Sequence, residues 1–457
     1  MAEVICVDFG STFTKASLVD LSDGRIVAAA SHPTTIETDV LDGFVRCRAE
    51  LARQDPRASD AAVLACSSAG GGLRIAVLGN EELVTAEAGR RVALSSGGKV
   101  VAVVSLASRV PENDLDAVLR HTSPDVVLLT GGTDGGNAES LVEGAAALVD
   151  AGWTGPVVVA GSQDARAEVA GILADLPHVL TANVVPRIGV LAPEGARAAI
   201  REMFLEHVIG GKHLSASDDF RQMVRGATPD VVLAGVELLA RGLDEGHPGA
   251  GDVAVVDVGG ATTDVHSVVA LDPEDSGLSR EVVAVTPVTR TVEGDLGMRW
   301  SALSTVEAAG LTELAAPASI RRDRPGYLPE DDREADIDEQ IARAAVDLAL
   351  RRHAGRSRVV VSPEGRVLER TGKDLREIDL LIGSGGVLRN GRPGVVDRVL
   401  ADSLGPDHEG GWQLPRAPRV VVDHDSALCA IGLLAGPEPD AAYRLAQRLS
   451  GDTGGSG

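Results

Sequence analysis

The chain has 457 residues, 44% hydrophobic and 24% charged, with a formal net charge of −24. These fractions are ordinary for folded domains and exclude general disorder, and the length suffices for two or three domains with substantial cores. The negative charge works against nucleic acid and anionic membranes as partners, and aromatics at 2% leave few rings for base stacking.

The cores must therefore be built mainly from Val, Leu, Ile and Ala. Met1–Asp8 shows no basic segment leading into an apolar stretch and a cleavage site, so no secretory leader is expected. No run approaches the roughly 18–20 apolar residues of a membrane helix. The four cysteines (Cys6, Cys47, Cys66, Cys429) are scattered and form no CxxC. They read as buried thiols of a cytoplasmic protein, not as a disulfide framework or an iron–sulfur or zinc site. The histidines show no HxxxH or HExxH spacing.

In chain order, the apolar run Val4–Val7 enters Asp8-Phe9-Gly10-Ser11-Thr12-Phe13-Thr14-Lys15 and continues into Ala16–Leu21, the pattern of a hairpin. From 61 to 190, apolar runs alternate with helical patterns. The runs are Ala61–Cys66, Val100–Leu106, Val126–Leu129, Val157–Ala160 and Val179–Val185, and one helix is expected over 112–121. Such alternation predicts a parallel sheet with right-handed crossovers. Ile200, Met203, Phe204, His207 and Val208 then mark one face of an amphipathic helix, read chiefly as a core-packing face. Val253–Val256 enters Asp257-Val258-Gly259-Gly260-Ala261-Thr262-Thr263-Asp264 and continues into a second run. The two aspartates lie 249 positions apart, and in that alignment Gly10 meets Gly259 and Thr14 meets Thr263. Two related domains, each opening on the same hairpin, are predicted. Asp331–Glu339, then Ile337, Ile341, Ala344 and Leu348, then Arg351, Arg352 and Gly355 signal a helix with its charges matched to its dipole. Val359–Leu368 reads as a hairpin, and Gly451–Gly457 as a disordered tail.

The chemistry lies in the Gly-rich turns. Small residues let a turn approach a ligand, and successive backbone N–H groups in such a turn cradle an anion. Lys15 adds a positive charge. Asp8 and Asp257, each ending a buried strand, suit a hydrated Mg²⁺, which uses few carboxylates and keeps several waters. Two such hairpins facing each other would clamp a polyphosphate. Leu380–Ile382 followed by Gly383, Ser384, Gly385 and Gly386 suits close backbone approach to a flat uncharged group such as adenosine. There is no GxGxxG fingerprint there, and no P-loop or GxSxG elbow anywhere.

The two Asp-led hairpins resemble the phosphate motifs of the actin, sugar-kinase and heat-shock-chaperone ATPase superfamily. Leu380–Val387 resembles its adenosine motif, and Asp423–Leu434 its second connecting helix. Asp8–Lys15, Ala65–Gly72, Leu128–Asn137, Val256–Val268, Arg290–Arg299 and Leu380–Asn390, in that order, are similar to the MutL/GlmL family associated with glutamate mutase. The resemblance implies a two-lobed actin-like (ribonuclease H-like) α/β fold with an inserted α/β region. The expected division is 1–60 for the first half of lobe I and 61–190 for the insertion and connecting segment. A helical linker region spans 191–250, lobe II 251–440, and a helix end with a flexible tail 441–457.

The resemblance also implies an ATPase, using ATP and Mg²⁺, that reactivates an adenosylcobalamin-dependent mutase or aminomutase as a protein client. An oligomer is compatible with it. In this reading Asp8 and Asp257 hold Mg²⁺ through water. Gly10, Ser11, Thr12, Thr14, Lys15, Gly259, Gly260, Ala261, Thr262 and Thr263 serve the phosphates, and Gly383–Gly386 line the adenosine pocket. Asp264 orients metal waters or the attacking water. Asp134 is either the general base or a turn or helix-cap aspartate. Glu293 and Asp295 have no derivable role, and a structural loop competes with a client contact. The rival classes are a small-molecule kinase of the acetate or sugar kinase type, an iron–sulfur dehydratase activator, for which the cysteines are misplaced, and an actin-type filament protein.

Overall fold

The computed structural model describes residues 3–69, 72–80, 82–106, 115–209, 214–215, 217–270, 286–362, 365–406 and 410–451. The expected tail beyond Gly451, the start of the helix expected at 112 and the tip of the hairpin at 363–364 lie outside the described residues. The chain divides into two compact units. The first holds Met1–Leu21 and Val27–Leu233; the second holds Ser22–Ile26, Ala234–Arg280 and Pro287–Gly457.

The first unit contains β1 (Glu3–Phe9), β2 (Phe13–Asp20), β3 (Arg25–Pro33), β4 (Ala62–Ser67), β5 (Arg74–Gly79), β6 (Lys99–Ser105), β7 (Val126–Leu129), β8 (Val157–Val159), β9 (His178–Leu180) and β10 (Val224–Ala227). The second contains β11 (Gly242–Asp244), β12 (His247–Pro248), β13 (Val253–Val258), β14 (Thr263–Val268), β15 (Val288–Glu293), β16 (Arg356–Ser362), β17 (Gly365–Thr371), β18 (Leu380–Ser384) and β19 (Arg419–Val422).

Each unit is built on one mixed sheet, and the two sheets share an order. In the first it is β3-β2-β1-β4-β10, with β1 antiparallel to β2 and parallel to β4. In the second it is β15-β14-β13-β18-β19, with β13 antiparallel to β14 and parallel to β18. The repeat legible in two short motifs therefore extends to whole sheets. The acid-to-base pattern predicted after Glu330 is the helix Asp332–His353, capped by the Asp331 carboxylate on the Glu334 N–H. It buries Ile337, Ile341 and Ala345 against the second sheet's core. In the first unit Phe9 meets Phe44 and Phe220 edge-on at 6.1 and 5.1 Å, so two ring contacts centred on Phe9 join three of the chain's five phenylalanines.

A third sheet, β6-β5-β7-β8-β9, is parallel throughout. Its residues alternate strictly between two cores. Ile75, Val77, Val126, Leu128 and Val158 join the core that also holds Ile5, Val7 and Phe9 of β1. Ala76, Leu78, Val127, Leu129, Val157 and Val159 pack with Leu141, Ala145 and Val169 from helices on the opposite face.

Two expected boundaries move. Ala62–Ser67, assigned to the insertion, is β4 and pairs with β1, so the inserted sheet begins at Arg74. The region 191–250, expected to be helical, contains β10, which completes the first sheet beside β4. Val224-Arg225-Gly226-Ala227 carries neither alternation nor a β-branched run, so only the docking edge of β4 makes it a strand.

Candidate functional site: two Asp-led turns

Asp8 stands opposite Lys15 in the β1–β2 register, and Asp257 stands opposite Asp264 in β13–β14. The second hairpin thus carries an acid where the first carries a base. Each hairpin closes its turn in the same way. The Gly10 N–H donates to the Phe13 carbonyl at 3.2 Å, and the Gly259 N–H donates to the Thr262 carbonyl at 2.9 Å. This leaves the turn amides of Ser11, Thr12, Gly260 and Ala261 without an acceptor among the described residues. Ser11 and Thr12 are exposed, and Gly260 and Ala261 half-buried. A short run of unspent N–H groups at a sheet edge is an anion cradle.

In the first unit the Asp8 side chain is 11% exposed. It accepts from the Thr228 hydroxyl at 2.7 Å and sits 3.8 Å from the Lys15 ammonium. Thr228 begins the helix Thr228–Arg241 and gave no signal in the sequence. In the second unit Arg290, on β15, supplies the charge that Lys15 supplies in the first. Its Nη2 donates to Asp264 at 2.8 Å, and the Thr262 hydroxyl donates to the other Asp264 oxygen at 3.3 Å. Burial pushes the Asp264 carboxyl up; Arg290 pulls it back and Asp257 adds to the rise. Two further Arg290 nitrogens, Nε and Nη1, find no acceptor among the described residues. No local pattern marks Arg290 for this role, because its reach to Asp264 depends on the β14–β15 register.

Ser384, at the end of β18, lies opposite Asp257. Its hydroxyl accepts from Arg389 Nη2 at 2.8 Å, while Arg389 Nε donates to the Asp423 carbonyl. The Asp423 carboxylate caps the following helix through the Ala427 N–H at 2.7 Å. Burial pushes that carboxyl up; Arg389 and its amide donors work against the rise, and the charge of Asp257 adds to it. Asp257, Asp264, Ser384 and Asp423 therefore lie at the same end of the second sheet's strands.

Several expected contacts take other roles. Thr14 and Thr263 are fully buried, so neither faces a phosphate. The Thr14 hydroxyl meets Thr34 at 3.2 Å, and Thr263 donates to the Leu296 carbonyl at 3.2 Å. Gly383 is buried in β18, where a Cβ would come within 2.9 Å of Leu388. Gly385, at φ +117°, lies so close to the Val258 carbonyl that a Cβ would fall 2.2 Å away. Gly386, exposed and facing open space, is the one of these three that leaves room for a ligand. Asp134 lies in the loop that follows β7 of the third sheet. Its carboxylate accepts from the Gln163 N–H and Nε2 and from Asn183 Nδ2 at 3.0–3.1 Å. Burial raises it, but these donors prevail and hold it below the usual range. Such a carboxylate staples loops and is a poor base. Glu293 and Asp295 both bind Arg352 at the end of the helix Asp332–His353, an anchoring role.

Among the described residues, no group of three or more His, Cys, Asp or Glu could hold a metal ion. Single carboxylates such as Asp8 and Asp257 fit a hydrated Mg²⁺ and no ion that demands a protein cage. All four cysteines are buried and none is in a disulfide; burial pushes the Cys47 thiol up to about 11. Among the described residues no helix is long and apolar enough to cross a membrane.

Paired mixed sheets of one order, each opening on an Asp-led hairpin, define an actin-like, ribonuclease H-like α/β protein. Residues 4–449 match the family described as MutL protein, and the chain belongs to that family. Protein MutL of Clostridium tetanomorphum is 36% identical over 472 residues, spanning 98% of this chain and 99% of the relative. Among solved structures, nucleotide-free acetone carboxylase aligns at 14% identity over 95% of this chain and 70% of that one, with a TM-score of 0.41. The activator of 2-hydroxyisocaproyl-CoA dehydratase from Clostridium difficile, with bound ADPNP, aligns at 11% identity over 100% and 99%, with a TM-score of 0.32.

Proposed function

We propose that this protein is an ATPase that reactivates an adenosylcobalamin-dependent mutase or aminomutase. The observation that carries the reading is the duplicated Asp-led turn with unspent amides, in a chain of the MutL family. Ser11, Thr12, Lys15 and Gly259–Thr262 bind phosphate oxygens through backbone amides, hydroxyls and one ammonium. Asp8 and Asp257 would each suit Mg²⁺ held through its waters, and the ion would supply charge neutralisation on the phosphates. Asp264, steered by Arg290 and Thr262, would orient a water beside the second turn. Gly386 and the start of the helix Gly386–Asn390 receive the adenosine.

Radical mutases occasionally lose the adenosyl group and trap inactive cobalamin. A partner whose ATP and ADP states differ in free energy can loosen such an enzyme and let the cofactor exchange. The protein would meet this client in the cytoplasm.

The test has two arms. The purified protein should turn over ATP only with Mg²⁺, and Asp8→Ala and Asp257→Ala should each abolish turnover while far-UV circular dichroism is unchanged. Added with ATP to a mutase inactivated by damaged cobalamin, the protein should restore activity in free adenosylcobalamin. Unchanged turnover in both variants removes the site assignment. Stoichiometric phosphorylation of a small acceptor, with no mutase recovery, replaces the reading with a kinase.

A further inference from the structure

In both hairpins the same two carbonyls are tied down, by segments unrelated in sequence. In the first, the Thr34 hydroxyl donates to the Gly10 carbonyl at 2.8 Å, and the Thr34 N–H donates to the Thr12 carbonyl at 2.9 Å. In the second, the Met298 N–H donates to the Gly259 carbonyl at 2.9 Å, and the Ser301 hydroxyl, with its one proton between the Ala261 carbonyl at 2.6 Å and the Gly294 carbonyl at 3.1 Å, donates to the nearer Ala261. The Arg299 N–H adds a bond to the Gly260 carbonyl at 2.8 Å. Gly10 aligns with Gly259, and Thr12 with Ala261. Each bracing segment follows the third strand of its sheet, β3 or β15.

The matched threonines support the braces. The single Thr34 hydroxyl proton goes to Gly10, so Thr14 is the donor in the 3.2 Å contact between Thr14 and Thr34. Thr263 donates to Leu296, at the start of the second brace. That brace is held further by Arg299, which donates to Asp338 at 2.9 Å; Asp338 also pairs with the buried Arg321. Gly297 is required by closeness: a Cβ there would stand 2.9 Å from the Gly260 carbonyl oxygen.

A peptide unit points its carbonyl and its neighbouring N–H to opposite sides. Fixing the carbonyls of a turn toward the protein therefore fixes its amides toward the ligand, before the ligand arrives. We infer that Thr34 and the segment Gly297–Ser301 are positioning residues that preset the two turns for phosphate. They act through Gly10–Thr12 and Gly259–Ala261 without touching nucleotide. This rests on the phosphate-binding role proposed above for those turns.

The test is a nucleotide series on the full chain. Affinities for ATP, ADP and adenosine are measured by calorimetry for wild type, Thr34→Val, Thr34→Ser, Ser301→Ala and Gly297→Ala, with thermal unfolding alongside. Thr34→Val and Ser301→Ala should each weaken ATP and ADP by about tenfold, the worth of an oriented hydrogen bond to a charged group. Adenosine affinity and melting temperature should stay at wild-type values, and Thr34→Ser should restore ATP binding. Gly297→Ala should be the most severe; if it fails to fold, the other two variants still decide. ATP binding within twofold of wild type in both Thr34→Val and Ser301→Ala overturns the inference, while loss of turnover in Asp8→Ala and Asp257→Ala would leave the phosphate reading standing. A wild type that binds no ATP removes both.

Discussion

Asp8 and Asp257 hold matching positions but differ in their cross-strand partners: Asp8 faces the Lys15 ammonium, whereas Asp257 faces Asp264, whose charge is paired with Arg290. The Arg290–Asp264 pair is the more demanding, because the arginine side chain is only 4% exposed. Arg290→Met strands a largely buried carboxylate and should cost about 3–5 kcal/mol in urea unfolding, with Arg290→Met/Asp264→Asn recovering part of the loss. Asp134 should behave oppositely to a general base. Asp134→Ala should keep ATP turnover at the wild-type level while losing about 1–3 kcal/mol of stability, since it releases three donors. Its folded carboxyl is held below the ordinary value of 3.8, so its contribution is complete above that value and fades as pH falls through the lowered one. The sequence offered Asp134 two roles; the contacts of Gln163 and Asn183, 29 and 49 positions away, favour the structural one.

The helix Asp332–His353 shows how far an element is legible. Its cap, its apolar face and its basic end are all written in consecutive residues. What its last residue touches is not. His353 lies between Ser267 at 2.7 Å and Thr291 at 3.0 Å, and burial pushes its pKa well down. His266, on β14, is buried beside Arg290 and is likewise pushed down. Both imidazoles are neutral in the fold and protonate on unfolding. Stability of the second unit is therefore complete above their ordinary value of 6.5 and falls below it. The slope should approach about 1.4 kcal/mol per pH unit for each histidine. Urea midpoints between pH 7.5 and 5.5 check this, and His353→Asn should remove about half of the dependence.

For the whole molecule, the inserted sheet is not a detachable module. One of its faces belongs to the core that also holds Ile5, Val7 and Phe9. Each buried Val, Leu or Ile on that face is worth roughly 1.5–3 kcal/mol. Excising residues 74–185 should therefore abolish cooperative unfolding of the first unit and produce aggregates on gel filtration. A deletion variant that unfolds cooperatively at the wild-type midpoint would show the sheet to be independent. The charge of −24 bears little on any of this, since the turns rely on local amides and Lys15.

Legible in the residues alone are the two hairpins, their 249-residue spacing, the alternating strands and helices between them, and the charge-matched helix after Asp331. These are local: periodicity, capping and turn chemistry act over a few residues. Tertiary structure alone decided that β4 and β10 complete the first sheet, that Arg290 meets Asp264, and that Thr34 and Ser301 tie down the turns. Each depends on register between strands or segments brought together from distant positions. Composition does not encode such pairings, because a shift of one residue would present the opposite face.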